Sequence, residues 1–368
     1  MFRLAWRNLF QNVTQFLLGA GGVALALLLM LALDALLAGS EENLVAYIEN
    51  SGADIYLAQS GVNNMHMAAS AITRSDMQRA GRVEGVLSAS PILYTSTSVE
   101  VHGSRVLAYI IGYNPDSALG GPRSVIAGTT RVNQNEAIID EAVARAQDVW
   151  LGDRVDIFGE TFTVVGITQG LTSIVNSTVF IHISDFERLR PGDAISYALL
   201  DTVSGYDTRV VAQAIVDQYP GINALPRAEF SREERQIIRD MSTEVLIIMN
   251  FSGFLIGLAV TALTLYTATL NKRQEYGVLK ALGAKNRHLY AVVVAQAVLS
   301  LGIGFVVAVG IVELLSIILP GVEPGVVVTL TIPGTMRVLG VSLVIGVASA
   351  LAPAVQIARL DPAQVFRG

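Results

Sequence analysis

Asn271–Leu289 reads NKRQEYGVLKALGAKNRHL and lies between two long apolar segments, Val245–Leu270 and Tyr290–Leu319. All three lysines of the chain (Lys272, Lys280, Lys285) fall in it, with Arg273, Arg287 and one acid, Glu275. A basic loop between membrane spans faces the cytoplasm, so this stretch orients the whole chain. Its centre, Tyr276–Leu282, reads as a short helix with Tyr276, Leu279, Ala281 and Leu282 as apolar positions, stopped by Gly283. A plain turn between spans needs no such helix. Its apolar positions require something to pack against.

Composition supports a membrane setting. The 368 residues are 52% hydrophobic and only 15% charged, with a mean hydropathy of +0.52, whereas soluble domains carry about 25% charged residues. The apolar excess is concentrated in four runs. There is no cysteine, which excludes disulfides and thiolate metal sites. Between Gly39 and Asp240, 15 Arg and no Lys face 25 Asp plus Glu, a net of −10, while the other 166 residues carry a net of +4. A basic membrane part with an acidic soluble part argues against nucleic acid as a partner.

Working outward, residues 1–12 are amphipathic, with Phe2, Trp6, Leu9 and Phe10 near one face and Arg3, Arg7, Asn8 and Gln11 on others. This suits a helix on the inner membrane surface, and the apolar run that follows is too long for a cleaved signal peptide. Residues 13–50 are a first span and an outer stalk: no charge occurs between Arg7 and Asp34, and about 20 apolar residues cross a bilayer core. Residues 51–230 mix strands and helices. Ala53–Ala58, Val86–Tyr94, Ser96–His102 and Val106–Tyr113 read as strands, with breaks at Pro91 and Gly103–Ser104. Arg154–Phe158 and Phe162–Ile167 form a hairpin split at Gly159–Glu160. Arg74–Val83 and Thr208–Tyr219 read as helices, the first capped by Thr73 or Ser75. Residues 231–270 are a second stalk, capped by Ser231, running without a breaker into the second span. Then come the 271–289 loop, a third span over 290–319, an outer loop over 320–335, a fourth span over 336–358 and a tail over 359–368. The predicted fold is an α-helical membrane protein with four transmembrane helices and a mixed α+β extracytoplasmic domain inserted between helices 1 and 2, both termini cytoplasmic.

Three sets of residues stand out within this frame. Gly253 and Gly257 form a GxxxG pair that allows close helix approach, for example between two copies of the chain. Asp34, Glu244, Glu313 and Arg337 reach the outer rim of the spans, where ionisable groups are candidates for lining a cargo site or for a salt bridge from Arg337 to Glu244 or Glu313. Met65-His66-Met67 offers thioether and imidazole ligands of the kind that hold copper(I) or haem iron, although methionine more commonly packs as a flexible apolar filler. No set of catalytic residues is present. Gly277–Gly283 lacks the Gly-Lys-Ser/Thr end of a phosphate-binding loop, and no G-x-S-x-G or H-E-x-x-H occurs.

One span, a large outer domain, and three spans with RQEYGVLKALGA between the second and third resemble the FtsX-like permeases, the membrane subunits of MacB-type (type VII) ABC transporters. Arg273, Glu275, Gly277, Val278, Leu279, Lys280, Ala281, Leu282, Gly283 and Ala284 carry the likeness. Pro353, Ala354 and the IARLDPA run Ile357–Ala363 support it, as does LGDRVDIFGETFTVVGI ending at Ile167. The resemblance implies a bacterial cytoplasmic-membrane permease acting as a homodimer with two separate ABC ATPase subunits. ATP and magnesium would be held by the ATPases, with no cofactor and no enzymatic activity in this chain. It implies a coupling helix, with Val278, Leu279 and Leu282 entering an ATPase groove ringed by Arg273, Glu275 and Lys280. It further implies mechanotransmission to an amphiphilic cargo (lipid, lipoprotein, peptide, drug or haem) amid membrane lipids, with a periplasmic or cell-surface protein as a further candidate partner. The alternative is a signalling transducer that regulates an extracytoplasmic partner such as a cell-wall hydrolase and transports nothing.

Overall fold

The computed structural model describes residues 13–101, 103–171, 177–322 and 325–358. The expected surface helix over 1–12 and the tail over 359–368 lie outside them. The chain divides into two compact units, one of residues 39–241 with 319–327, the other of residues 1–38, 242–318 and 328–368.

The first unit is an α/β domain built on ten paired strands among the described residues. In chain order they are β1 (Ile55–Gln59), β3 (Val86–Val101), β4 (Ser104–Tyr113), β5 (Val125–Gly128), β6 (Glu136–Asp140), β7 (Arg154–Ile157), β8 (Glu160–Thr168), β9 (Ser177–His182), β11 (Tyr197–Thr202) and β12 (Ile222–Pro226). A separate small pair joins β2 (Ile72–Thr73) to β10 (Ala194–Ile195). The large sheet runs β12-β1-β11-β3-β4-β9-β6-β8-β5, with β7 bridging β3 and β8. Successive residues of a strand face opposite sides, and β1 shows the result. Ile55 and Leu57 enter one core with the helices α2 (Arg74–Ala80), α3 (Glu141–Gln147), α4 (Ile183–Leu189) and α5 (Thr208–Gln218). Tyr56 and Ala58 enter a second core on the other face. That second core is closed by the ends of two long helices, α1 (Val13–Asn50), through Val45, Tyr47 and Ile48, and α6 (Arg227–Asn271), through Phe230. Tyr56 stacks on Phe230 at 4.6 Å. Ion pairs join the same two helix ends: Arg239 to Glu41 at 2.8 Å, and Arg235 and Arg227 to Glu49 at 3.4 and 3.7 Å.

Three local expectations are corrected by the structure, and one choice between two caps is resolved. Pro91 does not divide two strands but lies inside the 16-residue β3. The carbonyl of Ile92 points to the β11 side, where it accepts from Ser196 N–H, so by alternation the missing N–H of Pro91 points away from that ladder. β4 joins the other edge only from Leu93 onward, so the proline costs no ladder bond. The β7–β8 hairpin turns at Phe158–Gly159, one residue earlier than expected, with φ of 56° and 84°. Positive φ at two central residues matches the strand twist. The strained Phe158 is offset by edge contact with Phe186 at 5.4 Å and the Arg190 guanidinium at 5.5 Å. The cap of α2 is Thr73, in a reciprocal box with Asp76. Finally, α6 starts at Arg227, directly after β12, so Ser231 is no cap; it is buried within the helix.

The second unit is a bundle of α1 and α6 with α7 (Arg273–Ala281), α8 (Asn286–Val322), α9 (Ile332–Ser349) and α10 (Leu351–Ala358). Among the described residues, four stretches are long and apolar enough to cross a membrane, in α1, α6, α8 and α9–α10 together. Pro353 lies early in α10 and offers no N–H to the carbonyl four residues back, which accounts for the break at Ala350. α1 is the central helix, with Val23, Leu27 and Leu31 buried. Small residues admit its neighbours. A Cβ at Gly253 would meet Met30, one at Gly257 would meet Ala26 and Ile345, and one at Gly304 would meet Val23 and Ala20. The Gly253–Gly257 pair is therefore occupied by α1 and α9 of its own chain. The hydroxyls of Thr261, Thr264 and Thr269 bond carbonyls four residues back, which satisfies them in an apolar setting.

Candidate functional site

The helix α7 has two apolar faces. Tyr276 and Gly277 are buried, and Tyr276 packs with Leu289 and Val293 of α8 and with Ala350 and Ile357 of the fourth span; Leu279 and Ala284 pack against that cluster. Burial pushes the Tyr276 hydroxyl up to about 12, with Glu275 adding to the shift. Burial holds the Lys272 ammonium below its usual range, opposed by Glu275 4.0 Å away. The Lys280 Nζ donates to the carbonyls of Ile357 and Ala358 at 2.8 and 3.1 Å. Gly283, at φ 93°, ends the element in a conformation that favours glycine.

The other face is open. Val278 is 42% exposed and Leu282 79%; Ala281 lies between them and is also exposed. These three follow i, i+3, i+4 spacing and form one stripe. Exposed Arg273, Gln274, Glu275, Lys285 and Arg287 belong to the same stretch. The predicted set is thus split: Tyr276, Leu279 and Lys280 serve the chain itself, and Val278, Ala281 and Leu282 are available to a partner.

The second feature is a cavity of about 510 Å³ among α1, α6 and α9, lined chiefly by Met30, Leu246, Phe251, Phe254, Val338 and Val341, with Asp34, Thr243, Asn250 and Arg337 as polar groups. Arg337 Nη1 lies 3.1 Å from Asp34 Oδ1. The Asp34 carboxylate also stands against the first turn of α9, where a Cβ on Gly334 would fall 1.7 Å from Oδ2. Thr331 caps that turn by accepting from Gly334 N–H at 3.2 Å. A carboxylate at a helix N-terminus is favoured by the unsatisfied N–H groups there. The partner of Arg337 is therefore Asp34, not Glu244 or Glu313. Those two acids are exposed and do not line the cavity.

Met65, His66 and Met67 line one pocket of about 230 Å³, with Tyr94 and Tyr197 on its wall. Met65 is buried in the second core, whereas Met67 is 67% exposed. His66 Nδ1 lies 2.6 Å from Oε1 of the fully buried Glu234, whose Oε2 accepts from Met65 N–H at 2.5 Å. The imidazole meets Tyr109 edge-on, centroids 4.5 Å apart. Among the described residues no group of three or more His, Asp or Glu side chains gathers as a metal site. Sequence reading passed over Glu234 because it stands in the charged run SREER, where one buried acid looks like its solvated neighbours.

Residues 16–218 match the MacB-like periplasmic core domain, and residues 247–362 match the FtsX-like permease C-terminal domain. The chain belongs to the FtsX/MacB-like ABC transporter permeases. The permease is 21% identical over 322 residues to an uncharacterized ABC transporter permease of Mycobacterium bovis, covering 87% of this chain and 86% of that one. It is 20% identical over 367 residues, 99% of each chain, to a putative hemin transport system permease protein, HrtB, of Staphylococcus epidermidis. Among solved structures, the periplasmic region of MacB from Actinobacillus actinomycetemcomitans aligns with a TM-score of 0.39 and 13% identity, over 52% of this chain and 96% of that one. The four apolar helices and the family together make this a bacterial membrane protein.

Proposed function

We propose that this permease couples ATP hydrolysis by a separate ABC ATPase to the export or extraction of an amphiphilic cargo, and that the ATPase docks on the Val278–Ala281–Leu282 stripe. The observation that carries this reading is an exposed apolar stripe on a short helix whose opposite face is already locked to α8 and α10. A helix held rigidly on one side and left apolar on the other is suited to receive force from a partner. Positive charge around it supports a position on the cytoplasmic side of a bacterial inner membrane, with both termini on that side. ATP and magnesium reside in the ATPase, and this chain is a transport subunit without catalysis of its own. Two copies act with two ATPases. Because Gly253 and Gly257 are occupied within the chain, the second copy takes another face.

Movement of α7 reaches the α/β domain through α1 and α6, each continuous from the bundle into the domain. The cavity beside Asp34 and Arg337 lies near the outer end of the spans in this topology. Its apolar wall and single ion pair suit the tail and head of an amphiphile, whether lipid, lipoprotein, peptide, drug or haem. That cavity favours transport over a signalling transducer, which has no need of one.

The reading is tested with the permease in lipid nanodiscs and ABC ATPases from the same genome. One of them should bind and its hydrolysis should rise, and a phospholipid bearing a photoreactive acyl chain should label Phe251 or Val341. Absence of ATPase binding overturns the coupling reading. Binding and stimulation without labelling by any amphiphile, together with capture of an extracytoplasmic protein, favour the transducer.

A further inference from the structure

We propose that Lys280 is a positioning residue that makes the fourth span, α9–α10, the rod through which the coupling helix acts on the Asp34–Arg337 pair. This rests on the coupling role proposed for α7. Three observations carry it.

The first is the hold at the loop end of the rod. The Lys280 ammonium donates to two successive carbonyls, those of Ile357 and Ala358, at 2.8 and 3.1 Å. Carbonyls late in a helix carry the negative end of its dipole and favour a cation. Tyr276, Leu289, Val293, Ala350 and Ile357 surround this contact with buried apolar surface, so α7 and α10 are packed together as well as hydrogen-bonded.

The second is the hold at the other end. The Asp34 carboxylate of α1 stands at the N-terminal turn of α9, admitted by the missing side chain of Gly334, and pairs with Arg337 on the next turn. The fourth span is thus held by a charge at each end, an aspartate of the first span at the N-terminal turn of α9 and a lysine of the coupling helix at the last carbonyls of α10. Its 27 residues reach about 40 Å at the rise of an α-helix.

The third is the weakness of the alternative routes. α6 leads into α7 through Lys272, whose backbone is non-helical and whose side chain makes no cap bond. α8 is reached only through the left-handed Gly283. Each covalent link to α7 therefore passes through a turn, as the fourth span does at Ala350, whereas the Lys280 contact ties α7 to a second helix side by side. A tilt of α7 displaces α10, then the first turn of α9, and strains the Asp34–Arg337 contact at the rim of the cavity.

The test uses the full permease with its ATPase in nanodiscs. The chain has no native cysteine, so spin labels at Leu29→Cys on α1 and Met336→Cys on α9, both exposed, report the rim by pulsed dipolar spectroscopy. The expected result is a distance shift on adding ATP and vanadate. That shift is largely lost in Lys280→Met although the ATPase still docks on the outward stripe, and it is restored in Lys280→Arg, whose guanidinium can donate to the same carbonyls. Asp34→Asn, acting at the far end, moves the labels toward the shifted distance without ATP. An undiminished shift in Lys280→Met overturns the proposal, as does an Asp34→Asn protein whose resting distance matches the parent. A parent protein that fails to bind the ATPase overturns the coupling role itself, and this inference with it.

Discussion

Replacing Leu282 with aspartate separates docking from folding. In the chain alone the side chain is 79% exposed, and substitutions at such positions usually change stability by within about 0.5 kcal/mol. If the ATPase buries it fully, the lost transfer free energy is about 1.5–3 kcal/mol, which corresponds to a roughly 10- to 150-fold weaker complex. Desolvation of the new carboxylate in an apolar groove adds to that loss. Leu279→Asp is the contrasting variant. Leu279 packs against the cluster of Tyr276, Leu289 and Ile357, so its charge enters the permease's own core and the melting temperature falls before docking is measured. The assay is ATPase affinity for nanodisc-held permease by biolayer interferometry, with thermal melting of each variant alongside. Leu282→Asp should melt like the parent and bind much more weakly. Parent-like affinity for Leu282→Asp would refute the assignment of the outward stripe as the docking face.

Three further outcomes follow from contacts elsewhere. His66→Ala removes the ring partner of the fully buried Glu234 and should destabilise the α/β domain by about 3–5 kcal/mol, read as a lower melting temperature of the full chain. Gly334→Ala puts a Cβ 1.7 Å from Asp34 Oδ2 and should cost about 1–3 kcal/mol; in an Asp34→Ala background, denaturation should show a much smaller penalty because the obstructing oxygen is gone. The Asp201 carboxyl is raised above its usual value, first by burial and then by the negative charge of Asp54. The native state therefore holds that proton more tightly than the unfolded chain, and the contribution to stability is lost as pH rises through the raised value. Asp201→Asn should accordingly melt higher than the parent at neutral pH, and the difference should vanish on acidification below about 4, the ordinary carboxylate range.

Much of the architecture was legible because it depends on periodicity. Twenty-residue apolar runs and strict alternation, as in β1, have one cheap solution each. What was missed depends on which of two equivalent partners wins. The nine residues of α7 carry apolar groups on two faces, and hydrophobic spacing cannot say which face the chain covers itself; packing against Leu289 and Ile357 decides it. A GxxxG pair reads identically whether it admits another chain or, as at Gly253 and Gly257, Met30 and Ala26 of its own. Arg337 had three acids near one depth to choose from. Asp34 prevails because it lies on the central helix and Gly334 leaves room for it. Phe158 at positive φ goes against propensity and is legible only once Phe186 and Arg190 are seen beside it.

The ladder between β1 and β12 has a bearing on how such proteins are assembled. Ile55 to Gln59 pair with Pro226 back to Ile222, so the strands nearest the entry and the exit of the α/β domain are hydrogen-bonded neighbours. Everything between them therefore begins and ends at adjoining strands. An insert with adjoining ends adds little loop-closure entropy to its host. A differently shaped domain with the same paired ends could therefore be transplanted onto α1 and α6 without redesigning the helices.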